Sequence, residues 1–390
     1  MNKIYYGKQD INSEDILSVS KALRHDLITT GKNVNKFEKK ISQFLKSKYA
    51  VACNSGTAGL HLSFMAIGLK KNDVIVMPAI NFIAAYNMSK LLGAKIFLAD
   101  VDPLTGQMTP EHLLSCIKKN KLKKIKAIVT MYLGGYAENN IEFYKIKKLF
   151  KCTLIEDACH AFGASYFFKN SFYKVGSCKH SDLSVFSFHP LKTITTGEGG
   201  IVSTNNKSLA TKLLLLRSHG IEKIKKNHWK YDVKFIGFNY RISDINCALG
   251  SSQLQRVRKF INYRKKIFLQ YRKKLKFLNH IIKFPNYNFL NNHAYHLNLI
   301  NIDFKKIKSN KDKFIKFMLK NNIVCQYHYI PIFKFFIYKK KKKIIDLNNS
   351  QKYQSNSVSL PIFYGLTTRN INRICEKISL FVSKKSEKRI

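Results

Sequence analysis

The chain has 390 residues, 45% of them hydrophobic, which is enough for two packed domains and too apolar for a disordered protein. Its charge is lopsided: 69 Lys and Arg against 23 Asp and Glu give a formal net charge of +46. The basic residues are spread along the chain with no zinc-finger spacing, RNP-like motif or basic recognition helix, so no nucleic-acid partner is expected, although such a field would steer an anionic substrate.

No apolar run approaches the roughly 18–20 residues that span a bilayer. Met1-Asn-Lys-Ile leads into polar sequence and not into an apolar signal core, so a cytoplasmic protein without a membrane partner is expected. The cysteines at 53, 116, 152, 159, 178, 247, 325 and 375 form no C-x-x-C pair. They read as reduced thiols, and no metal site is expected.

Along the chain, short β-branched runs at 49–53, 74–77, 95–100, 127–131, 153–157, 183–188 and 200–203 read as strands. Helical periodicity lies between most of them, as at 57–69 and 110–119. Near-continuous apolar strands separated by helices predict an α/β fold whose sheet is mostly parallel and covered on both faces. Pro78 and Pro103 fall just past strand ends. After about residue 250 the pattern changes. Residues 251–277 read as one long basic helix leading to a smaller α/β domain, with strands at 295–302 and 323–328 and helices at 311–321 and 370–383. Residues 338–343 read as an exposed loop or helix edge. The expected domains are 1–250 and 251–390.

Three segments carry chemistry. Asn54-Ser55-Gly56-Thr57-Ala58-Gly59 follows the first strand and opens a helix, where free N–H groups and the helix dipole suit an anion. A plain Ser cap is the alternative. Glu156-Asp157-Ala158-Cys159-His160 closes a buried strand, so Asp157 is placed to pair with a cationic ring nitrogen and His160 to touch an adjoining ring substituent. A capping Asp and a hydrogen-bonded core His read equally well. Ser187-Phe-His-Pro-Leu-Lys192-Thr-Ile-Thr-Thr-Gly-Glu-Gly-Gly200 sets one lysine in a turn between two apolar strands. Burial there lowers the amine pKa and suits it to attack a carbonyl carbon. Alone, a lysine in a Gly/Thr-rich loop is a solvated surface residue.

Together, and with Thr29-Thr-Gly31, Arg217-Ser-His-Gly220 and Gly237-Phe-Asn-Tyr-Arg241, these segments resemble the DegT/DnrJ/EryC1/StrS sugar aminotransferases, which are fold-type I pyridoxal-phosphate enzymes. The resemblance implies a large domain with a mostly parallel seven-stranded sheet, a smaller C-terminal α/β domain, and pyridoxal 5'-phosphate as cofactor. It implies that Lys192 forms the Schiff base and shuttles the proton, and that Asp157 keeps the pyridine nitrogen protonated. Ser55, Gly56, Thr57 and Ser187 would surround the phosphate, with His160 beside the ring. Phe82 would stack on the ring, its alternative being plain core packing. Asn239 would reach the phosphate from a neighbouring subunit, making the enzyme a homodimer. Arg241 is the candidate for the glutamate carboxylate. Related dehydratases carry histidine at the Schiff-base position; here it is Lys192, which favours transamination.

Within that family, Tyr5-Tyr6-Gly7-Lys8, residues 26–30 and Tyr327-His328-Tyr329-Ile330-Pro331-Ile332 look most like the branch serving pseudaminic acid biosynthesis. That likeness implies L-glutamate as donor and a UDP-linked 2-acetamido-2,6-dideoxy-4-hexulose as acceptor. It names Tyr6, Asp26, Leu27, Ile28, Thr29, Tyr327, His328 and Tyr329 as substrate contacts. Perosamine, legionaminic acid and 4-amino-arabinose branches share the cofactor motifs, and a non-catalytic cofactor-binding regulator is a further alternative.

Overall fold

The computed structural model describes residues 2–224, 229–339 and 347–386. Seven strands build the main sheet: β1 (Tyr49–Cys53), β2 (Val74–Pro78), β3 (Lys95–Ala99), β4 (Ala127–Met131), β5 (Thr153–Asp157), β6 (Leu183–Ser187) and β7 (Gly200–Thr204). Their spatial order is β1-β7-β6-β5-β4-β2-β3. The pairs β2–β3, β2–β4, β4–β5 and β5–β6 are parallel. Only β7 runs against its neighbours, between β1 and β6. Every residue of β4 and β7 is buried, as a sheet covered on both faces requires. Pro78 is the last paired residue of β2, opposite Ala99, one position inside the expected end.

Helices α1 (Ser13–Leu23) and α2 (Lys32–Leu45) precede the sheet, and neither was expected from the sequence. Next come α3 (Gly56–Ala66), α4 (Ile83–Leu91), α5 (Pro110–Lys119), α6 (Asn140–Leu149) and α7 (Lys207–Arg217). Helix α3 is buried at nine of its residues and seats directly on the sheet. Gly59 permits that approach, because a Cβ there would lie 2.8 Å from Val185 Cγ1.

The expected helix 251–277 is instead two: α8 (Asp244–Gln255) and α9 (Val257–Lys274). They part at Arg256, whose guanidinium pairs with Asp10 at 2.6 Å and with the fully buried Asp15. Residue 250 lies inside α8. The apolar cluster of the C-terminal part draws on α9 from Ile267 onward and also takes in Ile4. That part carries β8 (Ile282–Lys283), β9 (Asn298–Ile302) and β10 (Ser357–Leu360) in one antiparallel sheet, with α10 (Lys311–Lys320) and a last helix, Thr368–Ser386. The expected strand at 295–302 begins only at Asn298, because Tyr295 takes a positive φ of 50°. Residues 323–328 form no regular strand; they make single bridges, Ile323 to Ile4 and Gln326 to Ser359. Of the stretch 338–343, residues 340–343 lie outside the described residues.

All eight cysteines are free thiols. Among the described residues no helix is long and apolar enough to cross a membrane, and no cluster of three or more His, Cys, Asp or Glu is placed to hold a metal.

One partly buried carboxyl gives stability a pH dependence. Burial pushes Glu138 up to about 7, and His293, 3.9 Å away, is pushed down to about 4, so the two do not form an ion pair at neutral pH. The folded state binds Glu138's proton more tightly than the unfolded state. Its contribution is therefore fully present below the unfolded pKa and is lost as pH rises through about 7. Allowing for its partial exposure, that is about 1–2 kcal/mol. Glu138→Gln should flatten the fall in Tm between roughly pH 5 and 7, read by thermal melts; an unchanged slope would remove Glu138 as its source.

Candidate active site

The C-terminal end of β5, the turn after β6, the N-terminus of α3 and the segment 326–330 converge on one cavity of ≈ 640 Å³. Asp157 ends β5 and is almost fully buried. Its Oδ1 accepts from the Cys159 N–H at 3.3 Å. Burial raises the Asp157 pKa, while Cys159 and the charge of Lys192 pull it down. The turn that carries Lys192 is closed by backbone bonds: Phe188 N–H to Gly199 O at 2.8 Å, Thr196 N–H to Phe188 O at 3.0 Å and Lys192 N–H to His189 O at 2.9 Å. Lys192 is half-buried and lines the cavity. Burial lowers its pKa, and the negative charge of Asp157 opposes that fall. More of the amine is thus neutral, the form that attacks a carbonyl.

Ser55 caps α3, its Oγ accepting from Ala58 N–H at 3.0 Å. The first-turn N–H groups of Gly56 and Thr57 have no carbonyl of their own helix to bond and open on the cavity with Ser187. Gly56 leaves room there: a Cβ would stand 2.9 Å from Ser187 Cβ and 3.1 Å from Cys159 Sγ. Phe82 precedes α4, is 51% exposed and presents its ring to the cavity, 5.7 Å from the Tyr329 ring.

Three histidines add a neutral wall. The His160 ring lies 4.2 Å from the His296 ring, tilted by 43°, and His328 bonds Ser359 Oγ through Nδ1 at 2.8 Å. Burial depresses all three, His328 to about 3, and the charge of Lys192 adds to each effect. Both nitrogens of His160 bond protein groups, Gly134 N–H and Tyr329 Oη, so its ring is already satisfied without an adjoining ligand substituent.

Of the residues named from the sequence, Lys192, Ser55, Gly56, Thr57, Phe82, Asp157, His160, Ser187, Tyr6, Tyr327, His328 and Tyr329 line this cavity. Asp26, Leu27, Ile28, Thr29 and Asn239 do not. Thr29 bridges Ser243, and the Ile28 carbonyl accepts from Asp244 N–H at 2.9 Å. The Asn239 carbonyl faces Asn54, and Arg241 lines a separate small hollow with Thr30 and Gly31. Sequence reasoning missed Cys159, His189 and His296. The first sits between two named residues and was within reach; His296 is brought there by bonds distant in sequence, its N–H to Gly134 O at 2.8 Å and its carbonyl to Arg264 at 3.2 Å.

The site fits pyridoxal 5'-phosphate. Asp157 is a buried carboxylate and, among the described residues, the cation acting on it is Lys192, which leaves room for a ring cation. The helix N-terminus and the Gly56 notch offer an anion cradle, and the exposed Phe82 ring offers a flat apolar face. Gly56→Ala should raise the cofactor's dissociation constant by about tenfold or more through the steric overlap at Ser187, measured by fluorescence titration; wild-type affinity would place the phosphate elsewhere.

Residues 9–379 match the DegT/DnrJ/EryC1/StrS aminotransferase family. A UDP-4-amino-4,6-dideoxy-N-acetyl-beta-L-altrosamine transaminase of Campylobacter jejuni (serotype O:23/36, strain 81-176) is 37% identical over 361 residues, covering 92% of either chain. Among solved structures, Helicobacter pylori PseC, an aminotransferase involved in the biosynthesis of pseudoaminic acid, superposes with a TM-score of 0.87 at 27% identity, over 98% of this chain and 100% of its own. The PLP form of the Streptococcus pneumoniae sugar aminotransferase Spr1654 shares the fold, with a TM-score of 0.88 at 22% identity over 98% and 99% of the two chains. The chain belongs to the DegT/DnrJ/EryC1/StrS aminotransferase family and is a pyridoxal-5'-phosphate-dependent sugar aminotransferase of fold-type I.

Proposed function

We propose that this enzyme moves the amino group of L-glutamate to the C4 ketone of UDP-2-acetamido-2,6-dideoxy-4-hexulose, the amination step of pseudaminic acid biosynthesis, in the cytoplasm. The observation that carries the reading is the closure of the Lys192 cavity by Tyr327, His328 and Tyr329. These residues belong to the element through which the sequence looks most like that branch, and the 37%-identical Campylobacter relative bears the matching name.

In this reading Asp157 holds the pyridine nitrogen protonated, and Gly56, Thr57 and Ser187 take the phosphate. Phe82 would cover the ring, and Lys192 would hold and move the proton delivered to sugar C4. When bound, the cofactor would supply an electron sink. Asn239 and residues 26–29 act across a homodimer interface, with Arg241 as the candidate for a glutamate carboxylate. Their exclusion from the cavity of a single chain supports this, as do the exposed apolar side chains at Leu27, Trp229 and Ile236. The net charge of +46 favours a nucleotide diphosphate.

The test is to bleach the cofactor band with L-glutamate and then offer UDP-, GDP- and dTDP-linked 4-ketosugars in turn. Recovery of the band with the UDP-linked acetamido sugar is expected; recovery with another sugar alone would reassign the branch.

A further inference from the structure

The turn 133–135 places a backbone donor on His160. Gly134 and Gly135 take φ of 77° and 86°, and a Cβ at Gly135 would stand 2.5 Å from the His160 carbonyl oxygen. Gly134 N–H then donates to His160 Nδ1 at 3.3 Å, while Nε2 lies 2.9 Å from Tyr329 Oη. Burial, reinforced by Lys192, holds this imidazole well below its ordinary pKa, so it is neutral and carries one proton. With Nδ1 used as an acceptor, that proton sits on Nε2 and is donated to Tyr329 Oη. The Tyr329 hydroxyl therefore offers His160 a lone pair, and its own proton is left to donate elsewhere. Tyr329 lines the cavity with Lys192, and the adjacent His328 carbonyl is held by Tyr353 Oη at 2.7 Å.

We propose that Tyr329 is a catalytic hydrogen-bond donor to the carbonyl oxygen of the ketone in this cavity, with His160 as the positioning residue that sets its polarity. When an amine condenses with a ketone, the nitrogen lone pair adds to the carbonyl carbon and the C=O π pair moves onto oxygen. The nitrogen releases two protons; the oxygen takes up two and leaves as water. Tyr329 gives its proton to that oxygen and recovers one from the nitrogen, first as the C–N bond forms and again as the C–O bond breaks, so two such exchanges balance without another reactant. Burial raises the phenol well above its ordinary range, which keeps the donor protonated at physiological pH. The same group serves the reverse step, in which water releases a 2-oxo acid. The inference rests on the proposed glutamate donor for its choice of probe.

Cofactor-loaded Tyr329→Phe should release 2-oxoglutarate from L-glutamate about 10²-fold more slowly in a single turnover. The cofactor's affinity, and the position and pH titration of its absorbance band, should match the wild type. Independently, ¹⁵N-histidine spectra of the cofactor-free wild-type protein should show His160 protonated on Nε2. Wild-type release by the variant would overturn the proposal. So would a shifted band titration, which would move the contact to an oxygen on the cofactor, or a proton on Nδ1 of His160. If the wild type releases no 2-oxoglutarate, the donor reading falls, and the titration and the tautomer still decide this one.

Discussion

Replacing Lys192 with alanine should abolish turnover, lowering the rate by more than about 10⁴-fold. The size of the effect follows from two tasks resting on one amine. In the proposed mechanism it is both the nucleophile that reaches a carbonyl carbon in the cavity and the base that moves the proton between two carbons. No neighbour takes over either task. His160, His296 and His328 are held neutral with depressed basicity, and the first is already committed to Gly134 and Tyr329. The variant should still bind pyridoxal phosphate through the α3 N-terminus and Asp157, but without the absorbance of the lysine-bound form. Multiple turnovers by purified Lys192→Ala would rule out a lysine-centred mechanism.

Asp157→Asn should cost about 10³-fold in turnover. The substitution keeps the shape and the position at the end of β5, and removes only the charge. The reason is electrostatic: burial already raises the carboxyl's pKa, and in the proposed mechanism a ring cation beside it would make an ionised Asp157 favourable there. An amide cannot hold the pyridine nitrogen protonated. A second consequence has a fixed sign. The charge of Asp157 raises the Lys192 pKa against burial, so its loss should leave that amine titrating lower still. The pH at which lysine-bound absorbance develops should therefore move down in the variant. Wild-type turnover in Asp157→Asn would remove this residue from the reaction.

How much of this was legible in the sequence depends on the range of the interaction. Lys192 and Asp157 were readable because local sequence places them: a turn between two apolar strands, and the last residue of a buried strand. Ser55 to Thr57 were readable as a strand-to-helix transition. The His160–Tyr329 bond spans 169 residues and depends on the two-glycine turn at 134–135, so no local pattern announces it. The break between α8 and α9 was hidden for a similar reason. Periodicity runs through Arg256, while the ion pairs that pin it come from Asp10 and Asp15, on the other side of the fold in sequence. Residues 323–328 read like a strand, but their backbone is shared between Ile4 and Ser359 in single bridges. Residues 26–29 and Asn239 matched family positions, and one chain alone does not bring them to the cavity.

The most direct measurement of the central claim is transfer of nitrogen itself. Cofactor-loaded enzyme would be incubated with ¹⁵N-L-glutamate and UDP-2-acetamido-2,6-dideoxy-4-hexulose, and the sugar nucleotide followed by mass spectrometry beside Lys192→Ala. One ¹⁵N per product molecule is expected, placed at C4 by NMR, with 2-oxoglutarate formed in equal amount and neither product in the variant. An unlabelled sugar nucleotide, or label appearing equally with Lys192→Ala, would contradict it.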